Sequence, residues 1–284
     1  MGKLKVMAVM LIVVLVGAGN LYAEDAKTPR DAADARGTTR GAQPVEDAQK
    51  PGGLASLAIY SDYLWRGIRL SDGIVLQPSV STKYKGFGAT VWANWDEKQN
   101  EMTETDALVN YTYDMNRYKL TAGYIYYSWR FKTGQPAGNL PGHTQEIFAS
   151  VGYDAPLVSP KLTLYLDIEN GDGAFLLLTL GRSFDMSKDM PFFGFPKGAS
   201  VYVGGAASVN FGNKVVGGGD RFTNFHNGEI WVAGNLPLGA NVALEPKIGY
   251  SFPLSDDAKD ALHRVSFSRD DNKFYAGGTL TFRF

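Results

Sequence analysis

The chain ends in the segment KFYAGGTLTFRF, residues 273–284. Its side chains alternate in character, with apolar ones on one face and mostly polar ones on the other. The first face holds Phe274, Ala276, Gly278, Leu280, Phe282 and Phe284, and the second holds Lys273, Tyr275, Gly277, Thr279, Thr281 and Arg283. Successive side chains of a β-strand point to opposite sides, so this period of two predicts a strand with apolar surroundings on one side only.

Three earlier segments repeat this alternation. Residues 106–113, 161–169 and 241–248 each carry apolar side chains at every second position, with mostly polar ones between them. Soluble β-sandwiches share this pattern. The period therefore predicts strands but does not identify the medium that touches the apolar face.

Other features of the chain indicate lipid on that face. Aromatic residues crowd the ends of segments, where amphipathic rings form a girdle at membrane interfaces. These residues are Tyr60, Tyr63, Trp65, Trp92, Trp95, Tyr124, Tyr126, Tyr127 and Trp129. Short connections also alternate with long ones, as they do in barrels with short periplasmic turns and long outer loops. We predict short turns at 85–86, 114–117 and 236–239, and long loops at 96–104, 132–142, 212–226 and 253–271.

The end of the chain resembles the signal that outer-membrane barrels offer to their assembly machinery. That signal is an aromatic final residue with apolar residues at every second preceding position, which assigns the role to Phe282 and Phe284. With the features above, it predicts an all-β fold, a transmembrane antiparallel up-and-down barrel in residues 54–284 and in the cell outer membrane of a Gram-negative bacterium.

About twelve strands are predicted, with ten to fourteen possible. They lie near residues 54–65, 74–84, 87–95, 105–114, 118–131, 143–153, 161–170, 174–184, 199–211, 227–235, 240–251 and 273–284. An even number suits closure with both termini on the periplasmic side. Pro78 and Pro246 fall inside predicted strands and indicate bulges or misplaced boundaries, because proline cannot donate to a ladder. The apolar stretch 190–196 is longer than a periplasmic turn should be.

The amino terminus has the order of a secretory signal peptide. Lys3 and Lys5 precede the apolar run 6–16, and Leu21-Tyr22-Ala23 supplies a cleavage site, so residues 1–23 are predicted to be removed. An uncleaved single-span anchor is the alternative. Residues 24–53 hold almost no large apolar side chain and are predicted to form a disordered leader. A periplasmic plug or a partner-binding arm is the alternative for this segment.

Composition excludes several classes of protein. The 284 residues include no cysteine, which removes disulfides, thiolate chemistry and zinc–thiolate sites. Lys plus Arg (28) and Asp plus Glu (29) balance, so nucleic acid is not an expected partner. A mean hydropathy of -0.17 is too polar for a bundle of membrane helices.

The first predicted strands carry a family resemblance. The stretch YSDYLWRGIRLSDG at residues 60–73, followed by Gln77-Pro78, resembles the TorF family of porins. Residues 86–89 and 91–94 resemble that family's next hairpin, and the Phe-Arg-Phe ending also fits. The likeness covers most of the chain after Leu54 and is strongest over the first three strands. It implies an outer-membrane pore.

Residues that could carry chemistry are scattered. His143, His226 and His263 lie in or beside predicted outer loops without metal-ligand spacing, and are interpreted as solvated surface. No nucleophile motif stands out, so we predict neither an enzyme nor a cofactor. Residues 170–173, Asn-Gly-Asp-Gly, suit a tight hairpin, with a calcium site as the alternative. Residues 217–220 lack the continuation of a phosphate loop and are interpreted as a flexible outer loop.

The remaining candidates for function are charges on the polar faces of the strands. The predicted lumen-lining residues are Asp62, Lys83, Asp106, Glu146, Asp167, Glu169, Glu229, Glu245, Lys247, Lys273 and Arg283. Arg182 shares the parity of Leu176, Leu178 and Leu180, which would place it outside. Rings of charge set the ion preference of a pore, and the excess of carboxylates predicts a mild preference for cations. Alternatively, these charges pair with one another and close the lumen.

Three hypotheses about function follow from this sequence. The first is a passive diffusion channel for small polar solutes or ions, with outer-membrane lipid and the barrel assembly machinery as partners. The second is a closed barrel whose outer loops give it a binding, structural or adhesive role. The third is a barrel enzyme that depends on the three histidines. A barrel of about twelve strands has a narrow bore, between packed eight-stranded and water-filled sixteen-stranded cases.

Overall fold

The computed structural model describes residues 51–132, 137, 140–189 and 191–284. The predicted signal peptide and all but the last three residues of the predicted leader lie outside these ranges. The first strand begins at Gly52, two positions before the predicted start of the barrel at Leu54.

Fourteen strands and two α-helices occur in the described ranges. The strands are β1 (Gly52–Tyr60), β2 (Tyr63–Trp65), β3 (Ile68–Ser71), β4 (Val75–Tyr84), β5 (Phe87–Asp96), β6 (Glu101–Met115), β7 (Tyr118–Trp129), β8 (His143–Tyr153), β9 (Ser159–Asp167), β10 (Gly173–Asp185), β11 (Ser200–Phe211), β12 (Thr223–Pro237), β13 (Val242–Pro253) and β14 (Lys273–Arg283). The helices are α1 (Met186–Asp189) and α2 (Asp256–Val265), and a 3₁₀ turn covers Pro191–Phe193. No helix among the described residues is long and apolar enough to cross a membrane.

Twelve of the strands close into one antiparallel barrel. Around the ring the order is β1, β4, β5, β6, β7, β8, β9, β10, β11, β12, β13 and β14, and β14 pairs with β1. At this seam the Gly53 amide donates to the Phe284 carbonyl (2.7 Å), and the Phe284 amide donates to the Gly53 carbonyl (3.0 Å). The prediction of an all-β, up-and-down barrel of about twelve strands is confirmed.

The two faces of the wall differ as the alternation predicts. Large apolar side chains on the outside stay exposed, among them Val80 (56%), Val109 (54%) and Ile230 (57%). Polar side chains on the inside are buried, among them Asn94 (0%) and Ser208 (1%). The barrel therefore has an apolar exterior and an interior that combines polar side chains with buried aromatic ones.

The predicted bulges at the two prolines are wrong. Pro78 pairs with Leu57 of β1, and Pro246 pairs with Gly278 of β14, both in unbroken register. Each proline instead interrupts the hydrogen-bond ladder with the neighbouring strand on the opposite side. The β4–β5 pairing skips residues 77 and 78, and the β12–β13 pairing skips residues 245 and 246. Proline has no amide hydrogen, so the missing bond falls on one neighbour only and the strand continues. Register shifts occur instead at Asn94/Trp95 and at Ala207/Val209.

Two predicted connections also need correction. The loop predicted at 96–104 is only four residues long, because β6 begins at Glu101 and Asp96 holds the turn by accepting from the Gln99 amide (3.0 Å). The strand predicted at 54–65 ends at Tyr60, and the connection to β4 contains the β2–β3 hairpin. Of the apolar stretch 190–196, residues 191–196 lie in the connection between β10 and β11, at the end of the barrel that holds both termini of the wall.

Candidate functional site in the lumen

The β2–β3 hairpin lies inside the barrel, near the end opposite the termini. It belongs to the connection between β1 and β4, yet its tip contacts β8, β9 and β10, which stand on the other side of the ring. Trp65, Ile68 and Leu70 of the hairpin are almost completely buried, at 1%, 0% and 0% exposure. The hairpin therefore crosses the lumen at this level.

The tip of the hairpin is a two-residue turn. Trp65 pairs with Ile68, and the residues between them, Arg66 and Gly67, have φ values of 51° and 80°. Positive φ at both central positions matches a type I′ turn, which suits the twist of a two-stranded hairpin. Glycine adopts this conformation freely, whereas an arginine does so against its local preference.

Arg66 forms an ion pair with the wall. Its two terminal nitrogens donate to the two carboxylate oxygens of Glu146 in β8, each at 2.7 Å, and both side chains are 1% exposed. Tyr127 of β7 donates to the same carboxylate at 2.9 Å. Burial alone would lower the pKa of Arg66, but the neighbouring carboxylate of Glu146 outweighs it and raises the pKa above its usual value. The guanidinium is therefore held as a cation.

Aromatic rings surround the same guanidinium. Its central carbon lies 4.7 Å from the ring centre of Trp65, 4.5 Å from that of Tyr165 in β9 and 4.5 Å from that of Phe175 in β10. These distances are within the range of cation–π attraction. The side chain of His226 in β12 lies 3.0 Å from the Arg66 carbonyl oxygen and is fully buried. We call Glu146, Tyr127, Tyr165 and Phe175 the arginine seat.

Two further connections cover the hairpin at the same end of the barrel. Helix α2 begins at a cap in which the Ala258 amide donates to the Ser255 hydroxyl, and the Phe267 amide after the helix donates to the Arg69 carbonyl (2.9 Å). Apolar side chains of α2 and of the 212–222 loop are buried in one cluster with the hairpin, namely Leu262, Val265, Val215 and Val216. Segments that belong to connections thus fill the lumen at this end of the barrel.

A charged cluster ties α2 to the segment that follows it. Asp271 lies 2.8 Å from the Lys259 ammonium and also contacts His263. The hydrogen bond from Lys259 lowers the pKa of Asp271 below its ordinary value. The cluster holds α2 against the segment that leads into β14.

A second ion pair lies inside the wall away from the hairpin. Lys247 of β13 is 3.8 Å from Glu229 of β12, and its ammonium lies 5.2 Å from the ring of Trp231 and 5.0 Å from that of Tyr275. Tyr275 donates to the same glutamate. All four side chains come from the wall itself.

The structure places most of the predicted lumen residues on the inner face or at its rim. Fully buried there are Asp106, Glu146, Asp167, Glu245, Lys247 and Lys273; partly buried are Asp62, Glu169, Glu229 and Arg283; Lys83 is exposed. Arg182 lies on the outside, exposed, with its guanidinium over Phe184 at 5.0 Å. The terminal Phe282 and Phe284 are exposed on the outer face, and their rings are 6.1 Å apart. Their role in assembly stays a prediction.

The aromatic girdle was assigned too broadly. Six of the nine aromatic residues predicted for it point inward and are at most 5% exposed, namely Tyr60, Tyr63, Trp65, Trp92, Tyr127 and Trp129. The reason is parity: Tyr127 and Trp129 share the inner face of β7 with Ile125 and pack against Trp65. Tyr126, between them, is on the outer face at 37% exposure.

The three histidines stay apart in space. His143 faces Glu169 at 3.2 Å on the rim, and His263 belongs to the α2 cluster. The interpretation of His226 as solvated surface is wrong, because it is buried beneath the hairpin. The described residues contain no group of three or more His, Cys, Asp or Glu that could hold a metal ion. Residues 170–173 lie at the turn from β9 to β10, where Asp172 has a φ of 42° and Asp167 accepts from the Gly171 amide (2.9 Å).

Arg66 was absent from the predicted site. It lies in a connection, where the alternation of a strand does not define which way a side chain points. The available signal was Arg-Gly between Trp65 and Ile68, a two-residue hairpin turn directly after the end of the predicted strand 54–65.

Comparisons with known proteins found similar chains among solved structures alone. No family model and no curated protein matches the chain. Among solved structures, the chain is similar to the KdgM porin, with a TM-score of 0.49 and 10% identity over 81% of this chain and 99% of that one. It is also similar to the NanC porin (TM-score 0.48, 11% identity, 81% and 98% covered) and to the translocator domain of the autotransporter NalP from Neisseria meningitidis (TM-score 0.48, 10% identity, 84% and 90% covered). The class of the protein, a closed twelve-stranded antiparallel barrel, rests on its own strand pairing.

Proposed function

We propose that this protein is an outer-membrane channel of the porin type, through which small polar solutes or ions diffuse when the β2–β3 hairpin moves aside. The resemblance to the TorF family is part of this proposal. So are the predicted partners, which are outer-membrane lipid and the barrel assembly machinery.

The membrane location is supported by the two faces of the wall. Exposed aliphatic side chains such as Val91 (57%) and Ile248 (51%) would be costly in water and are favourable against acyl chains. Inside, carboxylates, amides and hydroxyls share the wall with buried aromatic rings such as those of Trp92 and Tyr127. A closed barrel leaves no unpaired edge, which is the condition for strands to span a bilayer.

The channel is supported by the way in which the lumen is filled, and this observation carries the proposal. The two-stranded hairpin reaches from Trp92 of β5, whose ring Tyr63 contacts, to β8, β9 and β10 on the other side. Neighbouring strands lie about 4.8 Å apart and side chains widen a hairpin further, so the wall alone encloses a passage broader than a small solute. Displacement of the hairpin would leave a passage lined by polar groups together with aromatic rings such as those of Trp92, Trp129 and Phe175.

A second function is favoured by one observation. The hairpin is packed as firmly as a protein core, with Ile68 and Leu70 at 0% exposure. A permanently closed barrel, with a binding, structural or adhesive role for its outer loops, would show the same packing.

Deletion of the hairpin separates the two functions. Tyr60 and Val75 are already paired neighbours in the wall, so a short Gly-Ser turn can replace residues 62–72 without moving β1 or β4. The matched control replaces residues 187–197, in the turn at the opposite end of the barrel. Both variants and the parent mature chain are refolded and recorded in planar bilayers.

We expect rare or small conductance steps from the parent and the control, and large, persistent steps from the hairpin deletion. Lack of conductance in a hairpin-deleted protein that still shows heat-modifiable migration, as folded barrels do, would reject the channel and support the closed barrel.

A further inference from the structure

The arginine seat is complete without the hairpin. Its carboxylate, Glu146, is supplied by β8, and the phenol that donates to it, Tyr127, is supplied by β7. The two flanking rings, Tyr165 and Phe175, come from β9 and β10. The wall alone therefore presents an anion and two aromatic faces at one point of the lumen.

This combination suits a guanidinium group in particular. The two oxygens of Glu146 each accept one hydrogen bond from Arg66 at 2.7 Å, in the bidentate geometry that only a planar fork of donors can satisfy. The central carbon of the same planar group lies 4.5 Å from the ring centres of Tyr165 and Phe175, within the range of cation–π attraction. An ammonium group would form a single contact with the carboxylate. A neutral urea would lack the positive charge that pairs with it.

The turn that carries Arg66 indicates that the residue is there for this contact. At a φ of 51°, followed by a glycine at 80°, the position favours Asn, Asp or Gly, and an arginine gains nothing locally. A residue that opposes its backbone preference at a buried contact points to a function. Here the function is occupation of the seat.

We propose that the seat is a binding site for solutes that carry a guanidinium group, and that Arg66 is a tethered competitor that fills it while the barrel is closed. The inference rests on the proposed channel function, because it identifies the class of solute that the channel takes. A solute that displaces Arg66 releases the tip of the hairpin from the far wall.

The tether sets the affinity that a solute needs. A group held next to its site by a short segment acts at an effective concentration in the millimolar range. Free ligands must exceed this competition, so the wild-type protein should bind a guanidinium compound weakly and a variant without Arg66 should bind it more tightly.

Arg66→Gly tests the site with the least disturbance of the turn. It removes the guanidinium and gives the turn a Gly-Gly sequence, which a type I′ turn accepts. Binding of methylguanidinium to the full mature chain in detergent is measured by calorimetry, with methylurea as the uncharged ligand of the same shape. The seat is tested by Arg66→Gly/Glu146→Gln.

We expect R66G to bind methylguanidinium at least about tenfold more tightly than wild type, and R66G/E146Q to lose at least about tenfold of that affinity, because a charge-assisted pair is removed. Methylurea should bind neither. Equal binding of methylurea, unchanged affinity in R66G/E146Q, or lack of methylguanidinium binding by folded R66G would each overturn the proposal.

The hairpin-deleted protein gives a second measurement with a larger probe. It leaves the seat open to the lumen, so argininamide should bind and citrullinamide, its neutral counterpart, should not. A short peptide with an internal arginine distinguishes a free solute from a peptide as the source of the group. Calorimetry does not depend on conductance: binding without conductance rejects the channel alone, and conductance without binding rejects the seat alone.

Discussion

Arg66 and Glu146 are the residues on which the closed state depends most. Both side chains are 1% exposed, so neither charge can turn to bulk water when its partner is lost. Removal of one member of a buried pair leaves an uncompensated charge and costs about 3–5 kcal/mol.

We therefore expect Glu146→Gln to lower the free energy of unfolding by about 3 kcal/mol or more. The control is Glu169→Gln, whose partner His143 is on the rim, with side-chain exposures of 31% and 49%, and where the loss should stay under about 1 kcal/mol. Urea unfolding in lipid vesicles measures both. Comparable losses in the two variants would show that the buried pair contributes no more to the free energy of unfolding than the pair on the rim.

At the residue scale, parity predicted much of the lumen but not its occupant. Glu146 and Asp106 were placed inward because they alternate with outward-facing neighbours such as Val109. The sequence predicts Tyr127 as a girdle residue, because a tyrosine near a strand end suits either face, whereas the structure places it inside. Arg66 could not be placed at all, because its partner Glu146 lies 80 residues further along the chain, and local sequence does not encode such a contact.

The hairpin is the element that separates this barrel from a simple tube. Its turn depends on Gly67, which has a φ of 80° and whose missing Cβ would lie 2.9 Å from the Cβ of Asn227. Asn227 cannot shift easily, because its backbone amide donates to the Ser208 hydroxyl at 3.0 Å. The tip and the β12 wall are in close contact.

Gly67→Ala should therefore loosen the tip of the hairpin. The left-handed backbone costs about 1–2 kcal/mol for a residue with a Cβ, and the clash with Asn227 adds to it. Limited trypsin digestion gives the readout, since a displaced hairpin exposes the bonds after Arg66 and Arg69. The control is Gly142→Ala, where no atom lies within 4 Å of the new Cβ. Equal resistance of the two variants to trypsin would contradict a tightly seated tip.

At the scale of elements, alternation located all twelve wall strands but misjudged their interruptions. Pro78 and Pro246 looked like breaks, yet each strand continues because one neighbour keeps the register. The predicted strand 54–65 joins β2 to β1 because Tyr63 and Trp65 look like strand residues, which they are, though in another sheet. No strand is predicted over β3.

The whole molecule depends on which medium touches the outer face. Val109 lies on the outside near the middle of β6 at 54% exposure, and its neighbour Asn110 faces inward. The two positions are adjacent in one strand. Substitutions there therefore compare the outer and inner environments of the wall at nearly the same height in the barrel.

Val109→Lys should destabilise the barrel in vesicles by about 2–4 kcal/mol, because a charge near the bilayer midplane is costly. Asn110→Lys should have a much smaller effect, since a lysine there reaches the polar interior. The folded fraction after refolding is read from heat-modifiable migration in gels. The reverse order of the two effects would mean that water, and not lipid, surrounds the wall.

Closure of the wall could be predicted from the even number of strands and the aromatic chain end, both of which follow from local pattern. The filling of the lumen could not, because it depends on three connections, the hairpin, α2 and the 212–222 loop, that meet only once the ring is complete. Connections lack the periodicity on which such predictions rest.

The packing of Trp65 gives the protein a built-in optical reporter. Its indole lies 5.6 Å from that of Trp129 in the wall, at an angle of 63°. Two indoles so close and so inclined couple their electronic transitions and produce a paired circular-dichroism band that isolated tryptophans lack. One chromophore sits on the hairpin and the other on β7, so that spectral band can follow the hairpin in real time without any attached dye.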